Sequence, residues 1–162
     1  MAQKISPFLW FDKEVEEAVN YYVSIFPNSK IRMTSRYDEA GAKASGQLVG
    51  SVMVIEFELD GQKFTALNGG PLFKFNESIS FLVDCEDQAG VDHYWEKLSA
   101  VPESEQCGWC KDKFGVSWQI VPKQLGELLS DPDKEKASRV MAAMLQMKKL
   151  DVAKLQEAAE GK

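Results

Sequence analysis

The sequence predicts an α+β fold built from two copies of one strand–helix–three-strand module, followed by helices. Three observations predict it: an internal repeat, a hairpin signal closing each copy, and a change to helical periodicity after Pro122. Sliding the chain along itself by 72 positions aligns residues 6–26 with 78–98 without a gap. Five of those 21 pairs are identical: Ser6/Ser78, Asp12/Asp84, Glu14/Glu86, Val19/Val91 and Tyr22/Tyr94. Repeats of this kind mark units that cannot bury a sheet face alone, so the two copies are expected to form one domain.

Each copy opens on an apolar run that ends at an aspartate, Phe8-Leu9-Trp10-Phe11 before Asp12 and Ile79-Ser80-Phe81-Leu82-Val83 before Asp84. Both runs read as strands. Apolar residues then recur at helical spacing: Val15, Ala18, Val19, Tyr22 and Phe26 in the first copy, Val91, Tyr94, Trp95 and Leu98 in the second. Residues 36–47, rich in Asp, Gly, Ala, Lys and Ser without periodicity, read as a loop. The stretch from Glu56 to Phe64 is strand, Asp60-Gly61 turn, strand, a strong signal for a type I′ hairpin. The stretch from Trp109 to Val121 has the same shape around Phe114-Gly115. Laying Gly61 on Gly115 pairs Phe64 with Trp118, Thr65 with Gln119 and Ala66 with Ile120, an offset of 54. The first copy therefore carries about 18 extra residues, which are assigned to the 36–47 loop.

Helices are expected over 124–130, 134–149 and 151–159, the second entered through the capping Asp131-Pro132-Asp133. Ala137, Val140, Met141, Met144 and Met147 make one apolar stripe along it, read as core or interface filling. The expected organisation is thus one domain over 1–122, made of modules 4–71 and 77–122, with a helical extension over 123–162.

The 162 residues are 44% apolar and 27% charged, the composition of a globular domain with a real core. A net charge of -6 repels nucleic acid, so none is expected as a partner. No apolar run reaches the roughly 18 residues that span a membrane, and the N-terminus lacks the pattern of a signal peptide. Three cysteines do not make a disulfide framework, so a cytoplasmic location is expected.

Several stretches are more specific. Leu9-Trp10-Phe11-Asp12, Glu17-Ala18-Val19-Asn20-Tyr21-Tyr22 and Ile25-Phe26-Pro27-Asn28-Ser29 lie in the first module, with Phe64-Thr65-Ala66-Leu67-Asn68-Gly69-Gly70-Pro71 at its end. Cys107-Gly108-Trp109 leads to Asp112-Lys113-Phe114-Gly115-Val116-Ser117-Trp118-Gln119-Ile120-Val121-Pro122 in the second. These resemble the PhnB-like branch of the vicinal oxygen chelate superfamily, often labelled after 3-demethylubiquinone 3-methyltransferase. The resemblance implies a glyoxalase-like half-barrel, a cup made by the paired modules, and a homodimer. Metal-dependent members place a His or Glu on the first and last strand of each module. By register the matching positions are Ser6, Thr65, Ser78 and Gln119, whose hydroxyls and amide cannot replace the hydration of a divalent ion. The usual metal site is therefore expected to be absent and no cofactor is expected. A misplaced register would leave a metal-dependent isomerase, lyase or dioxygenase open, with Glu56 and Glu58 the nearby acids.

The other reactive residues carry plain readings. His93 belongs on a helix outside the sheet. Cys107 and Cys110 precede a hairpin rather than a helix, which removes the dipole that activates redox Cys-x-x-Cys pairs. They should face opposite sides, and Cys107 is the one that could meet an electrophile. No glycine-rich strand–turn–helix of the kind that holds S-adenosylmethionine occurs, so the methyltransferase label finds no motif. The expected ligand is a small organic molecule in an aromatic-lined cup, bound by Trp10, Thr65, Asn68, Phe81, Cys107, Trp109, Trp118 and Gln119, with Phe64 a further candidate wall. Whether the chain is catalytic stays open.

Overall fold

A computed structural model describes residues 4–162 and divides between Phe75 and Asn76 into two compact units. The first unit runs β1 (Phe8–Phe11), α1 (Val15–Ile25), β2 (Lys30–Arg36), α2 (Glu39–Ser45), β3 (Val52–Leu59) and β4 (Gln62–Asn68). Its sheet has the order β1-β4-β3-β2, with β1 parallel to β4 and the other pairs antiparallel. The hairpin forms where the sequence places it: Asp60 and Gly61 both have positive φ, 46° and 77°, between β3 and β4. Helix α1 buries Val15, Ala18, Val19, Tyr22 and Ile25 against Ile55, Phe57, Phe64 and Ala66, which point to one face of the sheet. The 36–47 stretch is corrected: it is not a loop throughout but holds α2. Asp38 caps that helix by accepting from the Gly41 N–H at 2.7 Å, and Gly46 closes it in the left-handed region. Only Ala42 is buried, so there was no apolar stripe to read.

The second unit runs β5 (Phe81–Cys85), α3 (Gln88–Leu98), a 3-10 turn at Pro102–Ser104, β6 (Trp109–Lys111) and β7 (Ser117–Pro122). Three helices follow, α4 (Lys123–Leu129), α5 (Lys134–Leu145) and α6 (Val152–Glu160). The sheet order is β5-β7-β6, with β5 parallel to β7. Here the second copy departs from the first. Among the described residues no fourth strand joins this sheet. The position of a β2 counterpart holds the 3-10 turn and one isolated bridge, Gln106 to Trp109. Residues 99–108 are too short a connection to reproduce the β2–α2 excursion of 26–51. The shorter connection thus lacks a strand as well as a helix, the counterparts of β2 and α2.

The C-terminal helices enclose their own core of Leu125, Val140, Leu150, Leu155 and Ala159, with Val121, Leu128, Leu129, Met144 and Met147 packed around it. Helix α5 stops at Leu145 rather than continuing to 149. The turn that follows drives Leu150 into the core, where it is fully buried. Asp133 caps α5 by accepting from the Glu135 and Lys136 N–H groups, the capping that the sequence signals. Of the methionine stripe, Met144 and Met147 pack on the core and Met141 lies exposed. No helix among the described residues is long and apolar enough to cross a membrane.

Candidate functional site

In the first unit, residues that alternate with the α1-facing core point to the opposite, open face. Cross-strand register puts Phe8, Thr65 and Glu56 side by side on β1, β4 and β3, with Met33 beside Glu56 on β2. A hollow of about 390 Å³ lies at this face, lined by Ser6, Arg32, Glu56, Glu58, Lys63 and Thr65 among others. The Arg32 guanidinium donates from Nε and from a terminal nitrogen to one Glu58 oxygen, at 2.9 and 2.7 Å. That hydrogen bond is the main reason the Glu58 carboxyl titrates below the usual carboxylate range. A carboxylate lowered in the folded state adds stability at neutral pH that is lost as pH falls through its lowered value. Arg32→Met is therefore expected to flatten the acid limb of the stability–pH curve, measured by urea unfolding across that range.

Trp10 and Asn68, both assigned to the ligand by the sequence, are held by other parts of this unit. The Trp10 indole N–H donates to the Gly70 carbonyl at 2.8 Å and its ring meets Phe73 edge-on at 5.0 Å. The Asn68 amide is engaged at both ends: Oδ1 accepts from the Val15 N–H at 2.9 Å and Nδ2 donates to the Val52 carbonyl at 3.0 Å. It supplies the first N–H of α1 with its acceptor and ties β4 to the start of β3, at a position 6% exposed. Phe64, the further candidate wall, stacks on Phe57 in the buried layer.

In the second unit, register sorts the expected site residues onto two faces. Phe81, Cys110 and Trp118 are partners across β5, β6 and β7, and Trp118 is only 3% exposed. Leu82, Gln119 and Trp109 are partners one residue along, so they occupy the other face. Trp118 and Gln119 therefore do not share a wall, a correction to the sequence expectation that follows from strand alternation alone. Trp118 donates its indole N–H to Asp112 Oδ2 at 2.8 Å and tilts against Phe81 at 5.4 Å. A second correction concerns Ser78. It is exposed, precedes β5, and bonds to Asn76; Gln119 Nε2 instead donates to Ser80 Oγ at 2.8 Å. Since Thr65 and Gln119 correspond through the hairpins, the ladders make Phe8 and Leu82 the matching first-strand positions, two residues beyond Ser6 and four beyond Ser78. Both are exposed apolar side chains, at 61% and 55%. Helix repeats and strand ladders thus run at offsets that differ by two, a shift the sequence alignment could not show because it preserves the face.

Cys107 and Trp109 do meet. They line a hollow of about 440 Å³ with Glu77, Glu103, Ser104 and Gln106. Lys111, on the Trp109 face of β6, pairs with Glu77, and this contact lowers the Glu77 carboxyl. Leu82, Ser80, Glu77 and Glu103 were not foreseen. Ser80 alone had a readable signal, its period-two relation to Leu82. His93 is exposed on α3 and contacts the Tyr94 ring edge-on.

The three thiols differ sharply. Burial pushes Cys110 up to about 12 and Cys85 up to about 11. Cys107 is half-exposed in a left-handed conformation, φ 51°, at the hollow. One thiol per native chain is expected to react with a disulfide reagent near neutral pH, with all three reacting after denaturation. Peptide mapping that finds Cys85 or Cys110 modified as fast as Cys107 would contradict this placement.

The resemblance drawn from the sequence implies a divalent ion in metal-dependent members and, by its label, a methyl donor; the residues present fit neither. Across the two open rows only Glu56 is an acid; Phe8 and Leu82 donate nothing, and Thr65 and Gln119 are neutral. Among the described residues no three His, Cys, Asp or Glu side chains stand close enough to hold an ion. Neither row by itself offers the donors that a divalent cation needs. The turns from β1 to α1 and from β5 to α3 carry Lys13-Glu14 and Glu86-Asp87 where a nucleotide-type cofactor needs glycines, so S-adenosylmethionine does not fit them.

Comparison with known proteins gives a family. Residues 3–121 match the family described as 3-demethylubiquinone-9 3-methyltransferase. Among solved structures, the PhnB protein of Bacillus cereus is 36% identical, with 74% of this chain covering 99% of that one at a TM-score of 0.62. A protein of Pseudomonas aeruginosa, PA1353, is 14% identical over 75% of this chain and 98% of its own, at a TM-score of 0.55, which supports the fold alone. No curated protein matches.

Proposed function

This chain belongs to the family described as 3-demethylubiquinone-9 3-methyltransferase and resembles its PhnB-like members, and on that premise we propose a metal-independent role in binding a small organic molecule. The observation that carries the reading is the pair of corresponding open rows, Phe8–Thr65–Glu56 and Leu82–Gln119–Trp109. Each sets an exposed apolar side chain beside a neutral hydrogen-bonding group, the mixture that recognises an organic ligand rather than an ion. Where metal-dependent relatives would put imidazole or carboxylate, this chain puts a hydroxyl, an amide and hydrocarbon. If chemistry occurs, the reactive group comes from the ligand, with the Cys107 thiol and the Glu56 carboxylate at the hollows as the side chains available to it.

A homodimer is part of the proposal, supported by the exposure of Ile5 and Leu72 in the first unit and Ile79 in the second, apolar side chains that a second copy would cover. The binding test equilibrates the protein with a cell-derived mixture of small molecules, washes it, and identifies by mass what is released on denaturation. Thr65→Ala and Gln119→Ala are each expected to weaken retention about tenfold, the worth of a lost hydrogen bond in a desolvated site. Full retention by both variants would overturn the assignment of the two rows.

A further inference from the structure

The family match ends at residue 121, and the Bacillus cereus relative is covered over 99% of its length by 74% of this chain. That relative therefore has no counterpart to an extension of the size of α4–α6. In this chain the extension does more than enclose its own core. Residues Met147 to Leu150, in the turn between α5 and α6, are hydrogen-bonded to the turn at Cys107 and Gly108. The Cys107 N–H donates to the Met147 carbonyl and the Gly108 N–H to the Lys148 carbonyl, both at 2.8 Å. The Gly108 carbonyl accepts from the Ile120 N–H at 2.8 Å, so this residue joins β7 to the extension. A Cβ on Gly108 would stand 3.0 Å from both the Ile120 carbonyl and Leu150 Cδ1, and its φ of 85° excludes most side chains.

The same turn also reaches the 3-10 turn. Lys148 Nζ donates to the Pro102 carbonyl at 3.4 Å and to Glu105 at 3.3 Å, at the 3-10 turn that carries Glu103 and Ser104 into the hollow. Farther along, Gln88 Nε2 donates to the Leu150 carbonyl at 3.1 Å, and Gln88 Oε1 accepts from the Val152 N–H at 2.8 Å. Lys149 pairs with Asp92 at 2.5 Å. The Cys107–Gly108 turn and the 3-10 turn, which both contribute lining to the Cys107–Trp109 hollow, are thus tied to one turn of the extension.

We infer that Met147–Leu150 is a positioning strap for that hollow, so that ligand affinity in this chain depends on docking of its C-terminal helices. The inference rests on the reading of the hollow as a ligand site, but its first test needs no ligand. In chains carrying 5-fluorotryptophan, the fluorine resonance of Trp109 is assigned with Trp109→Phe. The rate of Cys107 alkylation by N-ethylmaleimide is followed by peptide mass spectrometry. Leu150→Ala is expected to move the Trp109 resonance and raise the Cys107 rate about tenfold by local opening, with Leu150→Met restoring both. Gln88→Ala, which leaves the helical core intact, is expected to shift both in the same direction should Leu150→Ala fold poorly. An unmoved resonance and a native alkylation rate in a folded Leu150→Ala or Gln88→Ala chain would overturn the strap. Once a ligand has been identified, unchanged affinity in those variants would also overturn it while leaving the binding function standing. Failure to find any ligand would sink the function and leave the Trp109 and Cys107 readouts as they are.

Discussion

Gly69→Ala is expected to lower unfolding stability by about 3 kcal/mol, the upper range for forcing extra volume into a packed site. A Cβ built on Gly69 stands 2.3 Å from Trp10 Cε2 and Cζ2 and 2.6 Å from Cη2, far inside contact distance. The indole cannot easily withdraw, because its N–H is bonded to the next residue's carbonyl and its ring is held by Phe73. Backbone would have to move instead. It is fixed too, since the Gly69 and Gly70 N–H groups donate to the Phe11 and Asp12 carbonyls just past the end of the β1–β4 ladder. The control is Gly126→Ala in α4, where a Cβ meets nothing within 4 Å. There alanine is expected to stabilise by about 0.5–1 kcal/mol, through helix propensity. Urea unfolding measures both. A Gly69→Ala chain as stable as its parent would show that Trp10 is not seated on the glycine.

Asp112→Ala is expected to cost at least as much, about 3–4 kcal/mol, for a different reason. The carboxylate is 1% exposed and works as the hub of the β6–β7 turn. Oδ1 accepts from the Phe114 N–H at 2.9 Å and the Val116 N–H at 3.0 Å, and Oδ2 accepts from the Trp118 indole at 2.8 Å. Alanine leaves three donors unsatisfied, two of them buried. Asp112→Asn keeps one acceptor oxygen but turns an amide N–H₂ toward a donor, so it should fall between parent and alanine. In Trp118→Phe chains one of those donors is gone, and the cost of Asp112→Ala should shrink accordingly in a double-mutant cycle. Equal costs in both backgrounds would contradict the indole–carboxylate contact.

These two sites also explain what the sequence could and could not reveal. Local signals were legible. Asp60-Gly61 specified its hairpin, Asp133 specified its cap, and apolar spacing placed α1 and α3, because each depends on residues a few positions apart. Polar anchors were not. Asn68 sits in a stretch that resembles the family and looked like a ligand contact, but its amide joins backbone from α1 and β3. The same holds for Trp118, whose partner Asp112 is a turn away and whose face is decided by a one-residue alternation. Register between β1 and β4, and between β5 and β7, is a long-range property, so the sequence could not show that Phe8 stands beside Thr65 and Leu82 beside Gln119. The turn at 146–151 gave no signal at all. Its burial comes from Leu150 meeting Gly108, a contact between distant parts of the chain.

The central claim is that the open rows recognise an organic molecule without a divalent ion. Native mass spectrometry of untagged protein, beside elemental analysis of the same sample, tests it most directly. The expected result is a dimer mass, a retained organic ligand released on denaturation, and no stoichiometric transition metal. One equivalent of zinc, nickel, manganese or iron per chain would contradict the account, and the search for its ligands would begin at Glu56 and Glu58.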